Sequence, residues 1–330
     1  MATLKEIAKL TGVHPSIVSR TINNDPNLKI KPETKVRILK VVEELNYRPN
    51  MAARSLKKGE TKILGLAIPS FFNPVVSSII HGAELQAQKE GYNLLVYGAE
   101  REQAKVVSSL IDNRIDGLLI SNSHFDDSEI LELIERDFPI VLVNRRVSGL
   151  HNYVTVNDLM GAKKGVQHLI EYGHKQIGHI AGPLFTTTGI ERLQGYRSAI
   201  NEANIEFVSE YVQESDYTIE DGYRAMRKLL SLSNPPTAVF AASITISLGA
   251  MKAIREFGLS IPENISLVGY HDVYFADSLN PPLTTVAMPL EEMGSLAIEK
   301  LLRILQHNDN GEGIVLQGGT IISRGSVKKI

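Results

Sequence analysis

His14, Pro15, Ser16, Ser19, Arg20 and Asn23 fall on one side of a short amphipathic stretch, and together they offer an imidazole, hydroxyls, a guanidinium and an amide. Such groups hydrogen-bond phosphates and base edges. The other side is apolar: Val18 and Ile22, with Leu4, Ile7, Ala8 and Val13 upstream. The elements that would position this set are legible locally. Thr3-Leu4-Lys5-Glu6 has the form of a capping box and predicts a helix start near Leu4. Gly12 suits its stop, and Pro15 suits the first turn of the next helix, where the missing N–H costs nothing. Two short helices at a tight turn make a helix-turn-helix, whose second helix is free to enter a major groove. A helical hairpin of any other purpose would carry the same local signals.

After Pro32 a third helix is expected to about Asn46, with Val36, Leu39, Val42 and Leu45 spaced to close a three-helix core. Asn46-Tyr47-Arg48-Pro49-Asn50-Met51-Ala52-Ala53-Arg54-Ser55-Leu56-Lys57 then follows. Isolated helices under about 12 residues are marginal in water, so this stretch orders only against a partner. Through Glu60 there are 12 Lys and Arg against 6 Asp and Glu, net +6, whereas the remainder of the chain carries −8. A basic head on an acidic body suits phosphate contact by the head alone, although basic runs are usually solvated faces.

From Lys62 onward, apolar runs alternate with amphipathic segments. Residues 63–68, 93–97, 117–120 and 140–143 read as buried parallel strands, with crossover helices at 75–90, 102–113 and 128–136. A second series gives strands at 177–180, 238–240 and 266–269, with helices near 161–172, 190–203, 219–230 and 247–257. The expected fold class is α/β, two doubly wound parallel-sheet subdomains behind a three-helix head, with the cleft beyond the strands' carboxyl ends as the default ligand site. At 330 residues and 43% hydrophobic content, the chain has material for all three.

Several function classes are excluded or disfavoured. The sequence has no cysteine, so neither disulfides nor thiolate metal sites exist. No apolar run approaches the roughly 18 residues that span a bilayer, and the N-terminus reads as a capped helix rather than a signal, so a soluble cytoplasmic protein is expected. G-x-G-x-x-G after the first strand, G-x-x-x-x-G-K-[ST], G-x-S-x-G and H-E-x-x-H are all missing, leaving catalysis without a motif. His168, His174 and His179 suggest a metal cluster by spacing, with a helix stop running into a strand as the competing reading.

The combination of Thr3-Leu4-Lys5-Glu6-Ile7-Ala8, Gly12-Val13, Val18-Ser19-Arg20, Asn46-Tyr47-Arg48-Pro49-Asn50 and Ala53-Arg54-Ser55-Leu56 resembles the lactose-repressor/galactose-repressor (LacI/GalR) family of bacterial transcription regulators. The resemblance spans essentially the whole chain. It implies a DNA-binding head at 1–47, a hinge helix at 48–60 that pairs with its mate from a second subunit, and an effector-binding and dimerisation body at 61–330, periplasmic-binding-protein-like. The body's subdomains would be 61–158 with 290–318 and 159–289 with 319–330, joined by crossings near Asp158, Pro289 and Gly319. The DNA-binding residues it implies are Thr3, Pro15, Ser16, Ser19, Arg20, Asn23, Tyr47, Asn50, Arg54, Leu56 and Lys57. Leu56 would be the apolar wedge that parts a base step in the minor groove, or else an ordinary linker residue. A near-palindromic operator, a small-molecule effector and a second copy of the chain are the implied partners. No catalytic residue, metal or cofactor is expected, and the absence of a leucine heptad after Ile322 points to a dimer.

By the same resemblance Arg192, in Gly189-Ile190-Glu191-Arg192-Leu193-Gln194-Gly195-Tyr196, is the pocket arginine, with Thr188 and Tyr217 beside it. Tyr217 would stack on the ligand, or pack at the surface. The other pocket positions depart from the family's pattern. Ser243 and His271 stand where acids are usual, with Asp272 retained next door. Ser70 and Phe72 fall in an altered segment, and Asn144-Arg145 replaces Asp-Arg. Losing carboxylates removes hydrogen-bond acceptors for sugar hydroxyls and lowers the cost of bringing in negative charge. The expected effector is a sugar acid or phosphorylated sugar clamped by Arg192, Arg145 and His271, against a neutral sugar in a shifted pose or a pocket that binds nothing. A regulator controlled by a docked protein, a periplasmic-type binding module without regulatory ligand and a metabolic enzyme with a DNA head are the other classes.

Overall fold

The computed structural model describes residues 2–47, 60–98, 115–121, 138–147, 150–307 and 311–330. The expected hinge helix, with Asn50, Arg54, Leu56 and Lys57, and the crossover helices expected at 102–113 and 128–136 lie outside the described residues. The chain divides into two compact units, Met1–Thr61 and Lys62–Ile330.

In the first unit, α1 (Leu4–Thr11), α2 (Pro15–Ile22) and α3 (Pro32–Glu44) follow from local chemistry. The Thr3 hydroxyl accepts the Glu6 N–H at 3.3 Å and caps α1. Gly12 ends α1 at φ 64°, a left-handed conformation that costs glycine nothing, and Pro15 opens α2. Ile7, Ala8, Val18 and Ile38 are buried at the centre, with Leu4, Val13, Ile22, Val41, Val42, Leu45 and Tyr47 packed around them. Full burial stabilises such a side chain by roughly 1.5–3 kcal/mol relative to exposure. The expected face of α3 is corrected: Val36 and Leu39 are 66% and 43% exposed. A three-residue step repeated on a helix of 3.6 residues per turn precesses by about 60° each time, whereas Ile38, Val41, Val42 and Leu45 hold one side.

The second unit holds two six-stranded sheets. Its strands are β1 (Ile63–Ile68), β2 (Asn93–Gly98), β3 (Gly117–Ile120), β4 (Ile140–Val143), β5 (Tyr153–Val156), β6 (Ile177–Ala181), β7 (Val212–Glu214), β8 (Ala238–Ala241), β9 (Ser266–Tyr270), β10 (Thr284–Ala287), β11 (Ile314–Leu316) and β12 (Thr320–Ile322). Its helices are α4 (Pro74–Lys89), α5 (Asp158–Glu171), α6 (Thr187–Glu202), α7 (Ile219–Leu230), α8 (Ile244–Glu256) and α9 (Leu290–His307). The first sheet runs β11-β5-β4-β3-β1-β2, all parallel; the second runs β12-β10-β9-β8-β6-β7, with only β12 antiparallel. The chain passes from one sheet to the other between β5 and β6, between β10 and α9, and between β11 and β12.

Central strands such as β3, β4 and β8 are buried on both faces, which is why they read as unbroken apolar runs. Helix α4 lies close against α9, for a methyl added at Gly82 would strike the Glu291 carbonyl and one at Gly294 the Ile79 carbonyl. That contact fixes the Asn73 end of α4, which matters below. Among the described residues no helix is long and apolar enough to cross a membrane.

Candidate functional site

On the head, Ser16, Arg20 and Asn23 are exposed, while Pro15 and Ser19 are half-buried. His14 caps α2, its Nδ1 accepting the Ser16 N–H at 3.3 Å. Asn23 Nδ2 donates to the Ser19 carbonyl at 2.7 Å, and Arg20 Nε donates to Asp25 Oδ2 at 2.8 Å. That hydrogen bond, helped by the Asn27 N–H, holds the Asp25 carboxyl below the usual carboxylate range. The pair therefore sets Arg20 at the surface before any partner arrives. Thr3 spends its hydroxyl on the cap, and Tyr47 is half-buried against the head core.

Between the two sheets lies a small cavity of about 60 Å³, with polar lining from Asn73, Ser121, Asn144, Arg145, Thr186, Thr188, Arg192, Tyr217, Ser243 and His271 and an apolar side from Pro69, Val75 and Val76. Asn73, Thr186 and Ser243 are the N-caps of α4, α6 and α8, so the positive ends of three helices point into it. Asn144 follows β4 and His271 follows β9, each immediately after a strand and each left-handed, at φ 59° and 72°.

Arg192 is 2% exposed and heavily engaged. Its Nε donates to Asp158 Oδ1 at 2.9 Å, Nη1 to the Ala242 carbonyl at 2.8 Å, and Nη2 lies 3.3 Å from His271 Nε2. The guanidinium also stands 4.3 Å from the centre of the Tyr270 ring and 5.7 Å from that of Tyr217. Burial alone would depress its pKa, but the Asp158 carboxylate more than offsets this and the pKa is raised. Burial, reinforced by that same positive charge, drives the His271 pKa well below its usual value. His271 is therefore neutral near pH 7 and enters the site as a hydrogen-bonding group, not as a cation in a clamp. Since Arg192 must donate to its Nε2, the proton sits on Nδ1. His271 Nδ1, Asn144 Oδ1 and Ser121 Oγ are buried with no hydrogen-bond partner among the described residues. Thr188 Oγ1 meets the Tyr217 hydroxyl at 3.1 Å, and Ser243 Oγ accepts the Ile246 N–H at 3.2 Å.

Three expected pocket residues lie elsewhere. Asp272 points away from its neighbour His271 and is held by Arg324 at 2.7 Å and by the Thr285 hydroxyl at 2.6 Å. Its pKa is lowered: burial raises it, and the hydrogen bonds and charge of Arg324 and Thr285 outweigh that. Phe72, 92% exposed, lines with Asp272 a wider groove of about 670 Å³. Ser70 Oγ accepts the Phe72 N–H at 3.3 Å in a turn and lines neither. The segment reaches the cavity through Pro69, Asn73, Val75 and Val76 instead. His168, His174 and His179 have separate surroundings: His168 tilts against Tyr172, His174 bonds Thr237 and Ser266, and His179 stacks between Tyr196 and Phe240. Sequence reasoning missed Asp158, Ser121 and Thr186. The one available signal for Asp158 was an acid directly beyond an apolar strand, where ligand sites gather.

Residues 3–50 match the model described as bacterial regulatory proteins, lacI family, and residues 166–327 the one described as a periplasmic binding protein-like domain. The chain is 34% identical to the HTH-type transcriptional repressor PurR of Mannheimia succiniciproducens, over 100% of both chains. It is 36% identical to the probable HTH-type transcriptional repressor ExuR of Bacillus subtilis, over 100% of this chain and 99% of the other. A crystal structure of the lac repressor dimer bound to operator and the anti-inducer ONPF superposes with a TM-score of 0.89 at 27% identity, covering 99% of each chain. These relatives are repressors, not enzymes. The chain belongs to the lacI family of bacterial regulatory proteins, DNA-binding transcriptional repressors that join a helix-turn-helix head to an effector-binding body.

Proposed function

We propose that this repressor reads a near-palindromic operator through Pro15, Ser16 and Arg20 of each head in a homodimer, and that a small acidic effector, a sugar acid or a phosphorylated sugar, acts through the cavity between the two sheets. The observation that carries the effector class is the cavity's electrostatics. Two guanidiniums and three helix N-termini face it, and its described lining includes no carboxylate. Asp158 stands behind Arg192 and offsets that charge, and the three helix ends add positive potential that favours an anion. Asn144 Oδ1 and His271 Nδ1–H supply an acceptor and a donor suited to a hydroxyl and a carboxylate oxygen. Regulated genes of carbohydrate or related catabolism fit such a ligand.

Calorimetric titration of the full chain with matched pairs, glucose against glucuronate and galactose against galacturonate, tests the class. Tighter binding of the acids is expected, and tighter binding of the neutral sugars overturns it. A second reading, control by a docked protein, draws support from the cavity's size. Small-molecule sites usually enclose about 300–1,000 Å³, several times this space. Absence of heat from every sugar and sugar acid would favour it.

A further inference from the structure

The cavity is joined to its rim by neighbours along the chain. Arg145, Thr188 and Arg192 line the cavity; Arg146, Thr187 and Glu191 stand directly beside them in sequence. These three neighbours meet each other across the cleft. The Arg146 guanidinium pairs with the Glu191 carboxylate, and the Arg146 N–H points at Thr187 Oγ1, 3.5 Å away. Arg146 follows β4 in the first sheet, whereas Thr187 and Glu191 sit in the first turns of α6, which packs on the second sheet. The contact therefore spans the two subdomains. Arg146 also stands over the Tyr153 ring, 5.9 Å from its centre. The Glu191 side chain keeps only 19% of its exposure and that of Arg146 37%, so the pair is partly shielded from water and salt.

We propose that Arg146 and Glu191 form a latch between the two subdomains that holds the body in this closed arrangement. A cavity of about 60 Å³ has room for a few water molecules and none for a sugar-sized compound. Effector entry then requires the latch to part, and the same peptide links that carry Arg145 and Arg192 carry the latch residues. Movement of either segment therefore acts on both the cavity lining and the latch. The free energy holding the latch closed lowers the apparent affinity of any ligand that needs the open form, by the fraction of molecules that are open. The regulatory meaning rests on the cavity being the effector site; the closure itself does not.

The chain has no cysteine, so His151→Cys and Gln194→Cys, both at exposed positions on opposite sides of the latch, provide the only two labelling points. Nitroxides there, on full-length protein diluted into unlabelled chain without ligand or DNA, report the gap by pulsed dipolar spectroscopy. The otherwise unaltered chain should give one short, narrow distance distribution. Arg146→Glu and Glu191→Lys should each lengthen and broaden it, and the swapped pair Arg146→Glu with Glu191→Arg should bring it back. High salt on the unaltered labelled chain should lengthen it as well, which decides the matter if a single reversal fails to fold. Distances unmoved by the reversals and by salt, or a swapped pair that stays open, overturn the latch. Operator binding does not enter this readout, so a failure of the proposed effector reading and a failure of the latch are told apart.

Discussion

Arg192 donates to Asp158 across 34 positions of sequence, with the two side chains 2% and 3% exposed. Removing one partner of such a pair strands a buried charge. Arg192→Ala should therefore cost about 3–5 kcal/mol of stability, whatever it does to ligand binding. Urea denaturation should show a lower midpoint at unchanged slope, and the double replacement Arg192→Leu with Asp158→Leu should lose much less than the two single losses together. Equal stability of Arg192→Ala and the unaltered chain would remove the pair from the account.

Burial pushes the His179 pKa down to about 4, the Phe240 carbonyl opposing this weakly. The unfolded chain binds that proton near pH 6.5, so between about pH 6.5 and 4 it holds more protons than the folded one. Stability from this group is complete above pH 6.5 and is lost as the pH falls through about 4, on the order of 3 kcal/mol in all. His168, His174 and His271 are shifted in the same direction and steepen the decline. His179→Phe keeps a ring between Tyr196 and Phe240 and should remove up to one proton from the slope of stability against pH, measured by urea titration from pH 7 to 4.

Arg20→Ala should weaken operator binding by about 1–3 kcal/mol and relax choice at a single base pair, as loss of a bidentate base contact does. Competition against every single-pair operator variant reads this out. Losses of the same size on operator and random duplex would assign Arg20 to the phosphates instead. Asp25→Ala removes the carboxylate that holds Arg20 Nε, and should loosen sequence choice while leaving the arginine's charge in place.

His271→Asp should invert the cavity's preference. The new carboxylate would accept from Arg192 Nη2, withdraw positive potential and remove the Nδ1–H donor. Affinity for sugar acids should fall about tenfold or more relative to the matched neutral sugars, a change of about 1.4 kcal/mol or greater by calorimetry. An unchanged ratio would show that His271 does not read the ligand.

Local chemistry made the head legible: the Thr3 cap, the Gly12 stop and the Pro15 start each depend on neighbours within a turn. Phase along α3 was misjudged because an apolar residue every third position imitates a helical face for only two turns, and Val36 and Leu39 drifted off it. Strands buried on both faces announced themselves as apolar runs. The short edge strands β7, β11 and β12, and the threonines of β10, did not, since three or four residues with mixed polarity carry no period to detect. The long helix α9 went unassigned although its sequence is amphipathic. Of the cavity, the residues that follow a motif were identifiable. Asp158 and the Arg146–Glu191 pair were not, because contacts between distant segments leave no trace in spacing.

Asn144 and His271 end equivalent strands of the two sheets with positive φ, a backbone state that asparagine, aspartate, histidine and glycine tolerate and branched side chains resist. The main chain thus filters which amino acids can occupy two of the three places that, among the described residues, bring an orphaned polar atom to the cavity. If the cavity is the effector site proposed above, exchanging acid, amide and imidazole there would retune what the protein senses without disturbing its scaffold.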